Sequence, residues 1–202
     1  YKKHYSVKES CDSILKNYNE PDAEKVKSVI KGMLNFSAAS QEYFGYNEDS
    51  LANVGYEDYT AKRDSSNDMK LTANEGTSTV KWKSAGLNFS SNVALRFNIE
   101  AADIEGLEVK AVVGDNTWFI PATAFSKVDG TDNRYYVYFN KLSVACMSDV
   151  VDFTVYDANG VQVSDTLSYS IESYAAAKYK SEGAIANLVK TMMNYGDAAK
   201  AL

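Results

Sequence analysis

Apolar residues recur at helical spacing near both ends of the chain and at a spacing of two in between, so the pattern predicts helices flanking a β-rich middle. Cys11, Ile14, Leu15 and Tyr18 share one helical face, and Ser6 followed by Glu9 makes a capping-box pattern ahead of them. Pro21 stands where a second helix would begin, with Asp22 and Glu24 placed to complement the positive end of its dipole. Val26, Val29, Ile30, Met33, Leu34 and Ser37 then form the apolar face of that helix. Near the C-terminus Ile185, Leu188, Val189, Met192, Met193 and Gly196 do the same.

The middle of the chain alternates. Val80 and Trp82 share a face against Lys81 and Lys83, and Gly86 is expected to break the parity before Leu87 and Phe89. Val93, Leu95, Phe97 and Ile99 alternate with Ala94, Arg96 and Asn98, the clearest strand signal in the sequence. Further strands are expected at LEVKAVV from Leu107, TWFIP from Thr117, RYYVYF from Arg134, VVDFTVY from Val150 and VQVSDTLSYS from Val161. Their connections carry turn formers, among them Asn159-Gly160, a hairpin signal. Seven or so short strands with polar turns predict an antiparallel Ig-like sandwich, with a barrel as the competing closure.

The two ends are written in the same phrase. VIKGMLNFSAASQEY, Val29 to Tyr43, aligns without gaps on LVKTMMNYGDAAKAL, Leu188 to Leu202. Lys31/Lys190, Met33/Met192, Asn35/Asn194 and Ala39/Ala198 are identical, and Phe36/Tyr195 and Leu34/Met193 are conservative. Upstream, YSVKESCDSILK from Tyr5 resembles YSIESYAAAKYK from Tyr169. The repeated unit reads as two helices joined by a turn, an αα-hairpin. The predicted fold is mainly β with α, an antiparallel Ig-like β-sandwich flanked by N- and C-terminal αα-hairpins. Residues 1–46 are the helical hairpin closing a preceding repeat, 47–78 a polar linker or long loop, 79–168 the sandwich and 169–202 the C-terminal hairpin. Tyr1 to Val7 then reads as the stub of a preceding strand, and a chain opening on Tyr1 is expected to be a segment of a longer one.

Composition narrows the function classes. With 202 residues, 45% hydrophobic and 24% charged, the chain can bury a core. A net charge of −6 argues against a phosphate-backbone partner, which needs clustered Lys and Arg, so no nucleic acid is expected. No apolar run is long enough to span a bilayer, and no stretch has the regions of a signal peptide. Fifteen tyrosines beside two prolines and one histidine lean toward an extracellular β-rich domain. Cys11 and Cys146 read as two buried thiols, with a disulfide as the alternative.

The phrases YSIESYAAAKY, LVKTMMNYGDAAKAL and NFSAASQEYFGYNEDSLAN, with the strand pair VKWKSAGLNFSSNVALRF, resemble a module that recurs in large secreted or surface proteins of anaerobic Gram-positive gut bacteria. The resemblance covers most of the chain, and residues 54–77 depart most from it. Its motifs are structural and name no active site. Such modules accompany carbohydrate-active enzymes, carbohydrate-binding modules, leucine-rich repeats or dockerins, which implies an extracellular or cell-surface setting.

Catalytic signatures are sparse. His4 is the single histidine, so triad chemistry and His-rich zinc motifs have little to work with. There is no GxGxxG and no GxxxxGK[ST]. Paired carboxylates of the glycosidase kind leave no readable trace. Asp129, Asp132 and Asn133, or Asp157 and Asn159, offer hard oxygen ligands but form no EF-hand loop and read as turn formers. No enzyme activity, metal or cofactor is expected. The candidate ligand-binding residues are Trp118, Tyr136 and Tyr138, because exposed aromatic rings stack on the C–H faces of sugars. Outer-face tyrosines covered by a helix are the competing reading. The expected function is a non-catalytic spacer or display module of a larger extracellular protein, with a carbohydrate-binding module as the alternative. Its expected partners are neighbouring repeats of the same chain, and beyond them a polysaccharide or a cell-surface protein.

Overall fold

A computed structural model describes residues 6–56, 69–90 and 92–202. His4, most of the predicted strand stub and residues 57–68 of the expected linker lie outside the described residues. Among those described are four α-helices and nine strands, and the strands form two antiparallel sheets in a sandwich-like arrangement, so the fold is mixed α and β. The chain divides into two compact units. One holds the described residues up to 56 together with Ser143–Met147 and Ala175–Leu202, and the other holds residues 69–142 and Ser148–Tyr174.

In the helical unit, α1 spans Val7–Asn17 and opens on the predicted capping box. The Glu9 amide donates to Ser6 Oγ at 3.1 Å, and the Ser6 amide donates to the Glu9 carboxylate at 3.0 Å. The two bonds satisfy amide donors that the first helical turn leaves free. Helix α2 follows as Ala23–Phe44 and closes on Gly45, whose φ of 64° favours a residue without a Cβ. Cys11, Ile30 and Leu34 pack together, with Leu15, Val26, Met33, Ala52 and Tyr56 around them. Lys8 donates to the Asp12 carboxylate at 2.7 Å and the Tyr56 hydroxyl donates to it at 3.0 Å. These two donors hold the Asp12 carboxyl below its ordinary range. Helix α3 is Ile171–Lys178, of which the last part belongs here, and α4 is Ala184–Ala201. The broadest contact of α4 is with α2, followed by the 3₁₀ turn Val144–Cys146. Leu188, Val189, Met192 and Met193 are fully buried, and burying apolar side chains of this size stabilises by about 1.5–3 kcal/mol each.

The second unit is built from strands β1 (Lys70–Thr72), β2 (Lys81–Phe89), β3 (Val93–Glu100), β4 (Glu108–Val113), β5 (Asn116–Pro121), β6 (Ser126–Lys127), β7 (Arg134–Phe139), β8 (Val151–Tyr156) and β9 (Thr166–Tyr169). One sheet runs β1-β9-β8-β4-β5 and the other β2-β3-β7-β6. Alternation decides their faces: Leu95, Phe97 and Ile99 of β3 point inward with Val137 and Phe139 of β7, opposite Val109, Ala111, Val151, Phe153 and Val155. The two inner faces meet where the Phe97 and Phe153 ring centroids lie 4.0 Å apart. Trp82 is buried edge-on to Phe97, and its indole nitrogen donates to the Asp165 carbonyl at 2.8 Å. Tyr169 is buried on β9, which pushes its phenol up to about 12.

Several expectations need correction. Part of the stretch read as linker forms β1, paired with β9 through Lys70↔Ser168, Leu71↔Leu167 and Thr72↔Thr166. All three β1 residues are exposed, so no alternation betrays them. Residues 74–78 are tied down as well, because the Asn74 amide and Ser78 hydroxyl donate to the Asp165 carboxylate at 3.1 and 2.8 Å. The parity break in β2 falls between Trp82 and Ser84 rather than at Gly86, so Lys83 is the bulged residue. The strand expected from Val161 begins at Thr166, with only a bridge between Tyr156 and Gln162 before it. Asp157 causes that delay: its carboxylate accepts the amides of Asn159 and Val161, both at 2.9 Å, and winds the backbone into a turn. Cys11 and Cys146 are free thiols as expected, but only Cys11 is buried and Cys146 is half-buried.

Candidate functional site

The outer face of the β2-β3-β7-β6 sheet gathers the polar members of the alternating strands. Tyr136 and Tyr138 stand two residues apart on β7, and register places Asn98 beside Tyr136 and Arg96 beside Tyr138. On the far side of β3, Ser84 pairs with Asn98 and Gly86 with Arg96. The two tyrosine rings meet edge to face with centroids 5.4 Å apart. The Arg96 guanidinium carbon lies 4.4 Å from the centre of the Tyr136 ring, close enough for the ring quadrupole to attract the charge. Tyr138 is 39% exposed and Tyr136 half-buried beneath the guanidinium.

Hydrogen bonding on this face is incomplete. The Asn98 amide nitrogen donates to Ser84 Oγ at 2.6 Å, yet Asn98 Oδ1 and Arg96 Nε are buried with no partner. Such orphans cost free energy unless something satisfies them. A donor and an acceptor thus lie next to two aromatic rings. Gly86 adds space, since a Cβ built there would meet nothing within 4 Å. Glu100 closes one end of the face between Arg134 at 3.7 Å and Lys83 at 3.5 Å. Rings that offer apolar faces beside a guanidinium and an amide suit a ligand that is itself part C–H and part hydroxyl.

Of the three residues singled out from sequence, the structure brings Tyr136 and Tyr138 together and leaves Trp118 apart. Trp118 sits on β5 in the other sheet, half-buried, with its ring edge-on to Phe139 at 5.4 Å. Its neighbour Phe119 is the ring that faces solvent, 58% exposed over an open groove shared with Lys110, Pro121 and Tyr156. Arg96 and Asn98 were not among the candidate ligand-binding residues. Their signal was parity, because both alternate with buried residues on the strongest strand.

A second feature lies in the helical unit. Phe36 of α2 stacks on Tyr195 of α4 with ring centroids 6.4 Å apart and planes 25° from parallel. These residues hold the same position in the repeated phrase, so each helix offers the other its own equivalent ring, the hallmark of a self-complementary contact. Gly32 lets the backbones close up: a Cβ on it would fall 3.0 Å from the Tyr195 Cα.

Among the described residues no three His, Cys, Asp or Glu side chains gather as a metal site, and no helix is long and apolar enough to cross a membrane. No protein-family model, curated protein or solved structure matches this chain.

Proposed function

We propose that the chain is a non-catalytic structural module, a spacer or display element of a larger extracellular bacterial protein, in which an Ig-like sandwich alternates with helical hairpins. The observation that carries this reading is the contact of the repeated phrase with itself, Phe36 on Tyr195. If α2 closes one repeat and α4 the next, their contact is a joint between consecutive repeats, and a row of such joints stiffens a tandem array. Deleting residues 1–46 is expected to lower the melting temperature by several degrees, because it removes the helix with which α4 makes its broadest contact. An unchanged melting temperature would count against a joint.

The outer face of the β2-β3-β7-β6 sheet favours a second reading, a polysaccharide-binding module. Its support is the pairing of two tyrosine rings with the unpartnered Arg96 Nε and Asn98 Oδ1. Affinity electrophoresis on starch, xylan, cellulose and mucin glycans is the test. Retardation on one of them, abolished by Tyr138→Ala and weakened by Asn98→Ala, is expected, whereas free migration on all of them would sink this reading.

A further inference from the structure

The α2–α4 contact is covered at one end and open at the other. On α4, Gly196 lies flush against the turn Ser143–Met147, so closely that an added Cβ would meet the Val144 carbonyl oxygen at 3.2 Å and Met147 Sδ at 3.3 Å. The matching position on α2 is Ser37, one residue beyond Phe36 as Gly196 is one beyond Tyr195. There the surface opens into a groove of ≈ 570 Å³ that continues from the helix contact through Phe36 and runs over Ser37 and Ser40 to Phe44 and Tyr46.

The groove is a shaped, apolar surface. The hydroxyls of Ser37 and Ser40 donate back to the Met33 and Phe36 carbonyls at 2.8 and 2.7 Å, leaving their methylenes as the floor. Phe44 and Tyr46 stand 54% and 72% exposed. Gln41 fixes the rim, donating to the carbonyls of Asn47 and Ser50 at 3.1 and 3.0 Å while accepting the Ala52 amide at 2.9 Å. Large exposed rings on a braced rim offer apolar surface that a partner can cover.

Chain order identifies the cover. The turn on α4 lies between β7 and β8, in the strands that lead directly into α3 and α4. If a further repeat precedes α1, the strands that lead into α1 and α2 carry the corresponding turn. We propose that the groove on α2 receives a short 3₁₀ turn like Ser143–Met147, presented by the β-sandwich of the preceding repeat. This rests on the repeat reading above. Ser37 in place of Gly196 raises the floor, so the incoming turn rides further out, against the rings of Phe44 and Tyr46.

A tandem chain tests it: a copy of residues 69–168 is joined ahead of Tyr5, which occupies in its repeat the place of Tyr169. Ser40→Cys, with Cys146→Ser throughout, supplies a thiol on the floor of the groove. The tandem is expected to label with a maleimide roughly tenfold more slowly than the single chain, since the turn must first lift away. Ser37→Gly, which reproduces the floor of α4, should slow it further, and Met147→Glu in the leading copy alone should restore the fast rate. Equal labelling with and without Ser37→Gly while the leading copy is folded, or protection that survives Met147→Glu, overturns the proposal. So does concentration-dependent protection of the single chain, which would make the occupant a second copy. If the leading copy does not fold, a peptide of residues 141–149 titrated into the full chain decides. Amide shifts confined to Ser37, Ser40, Gln41 and Phe44 support the proposal, and their absence overturns it. Loss of stability on deleting residues 1–46 together with unprotected Ser40→Cys would leave the helix joint standing and remove only its cover.

Discussion

Helices α2 and α4 carry matching phrases, yet α4 buries Gly196 under the turn Ser143–Met147, whereas α2 leaves the matching Ser37 half-buried beside an open groove. The buried faces of the two helices are alike: Leu34 and Met193, at equal positions, are each almost wholly buried. The difference therefore lies at the edge, and it teaches that the repeated residues specify helix-on-helix packing. What covers α4 beyond that is the turn between β7 and β8, which lies outside the repeated phrase.

Substitutions at the buried positions of the two helices should have the largest effects. Leu188→Ala removes a fully buried side chain and is expected to cost about 2–5 kcal/mol in denaturant unfolding. Gly32→Leu, forced against the Tyr195 backbone, should cost about 1–3 kcal/mol, well beyond what helix propensity returns. The edge gives a sharper contrast. Gly196→Leu must displace Val144 and Met147 and should lose about 1–3 kcal/mol, while Ser37→Leu, opening on the groove, should stay within about 0.5 kcal/mol. Equal costs at the two positions would erase the distinction between a covered and an open end.

The smallest expected effect is a pH dependence found in both units. Asp12 is held low by Lys8 and then Tyr56, and Asp165 by the Asn74 amide and then the Ser78 hydroxyl. Because the folded carboxyls lie below their unfolded value, their stabilisation is complete above the ordinary carboxylate pKa and is lost as pH falls through the depressed folded values. Acid titration of the melting temperature checks this. Asp165→Asn should flatten the acid limb slightly, and a limb unchanged by both Asp165→Asn and Asp12→Asn would show that these bonds carry no linkage.

Much of this fold was legible because strong periodicity and its chemistry coincide. The Ser6–Glu9 cap, most of the α4 face and the inward set Leu95, Phe97 and Ile99 follow from spacing. On α2, spacing finds Ile30 and Leu34 but not the buried Gly32, Asn35, Ala38 and Ala39. What escaped was set by partners distant in sequence. β1 is defined only by its pairing with β9, and the bulge at Lys83 only by register against β3. Whether Trp118 or Phe119 faces outward could not be read from two adjacent aromatic residues, and the core partner Phe139 settles it by drawing Trp118 inward. Tyr136 and Tyr138 were visible by parity, but Arg96 and Asn98 join them only through the β3–β7 register.

The packing of like on like is tested most directly by a double-mutant cycle on Phe36→Ala and Tyr195→Ala, measured by denaturant unfolding of the full chain. A stacked pair at the observed 6.4 Å predicts a coupling of about 0.5–1.5 kcal/mol between the two substitutions. Strictly additive losses would contradict a contact between the equivalent positions of the repeat.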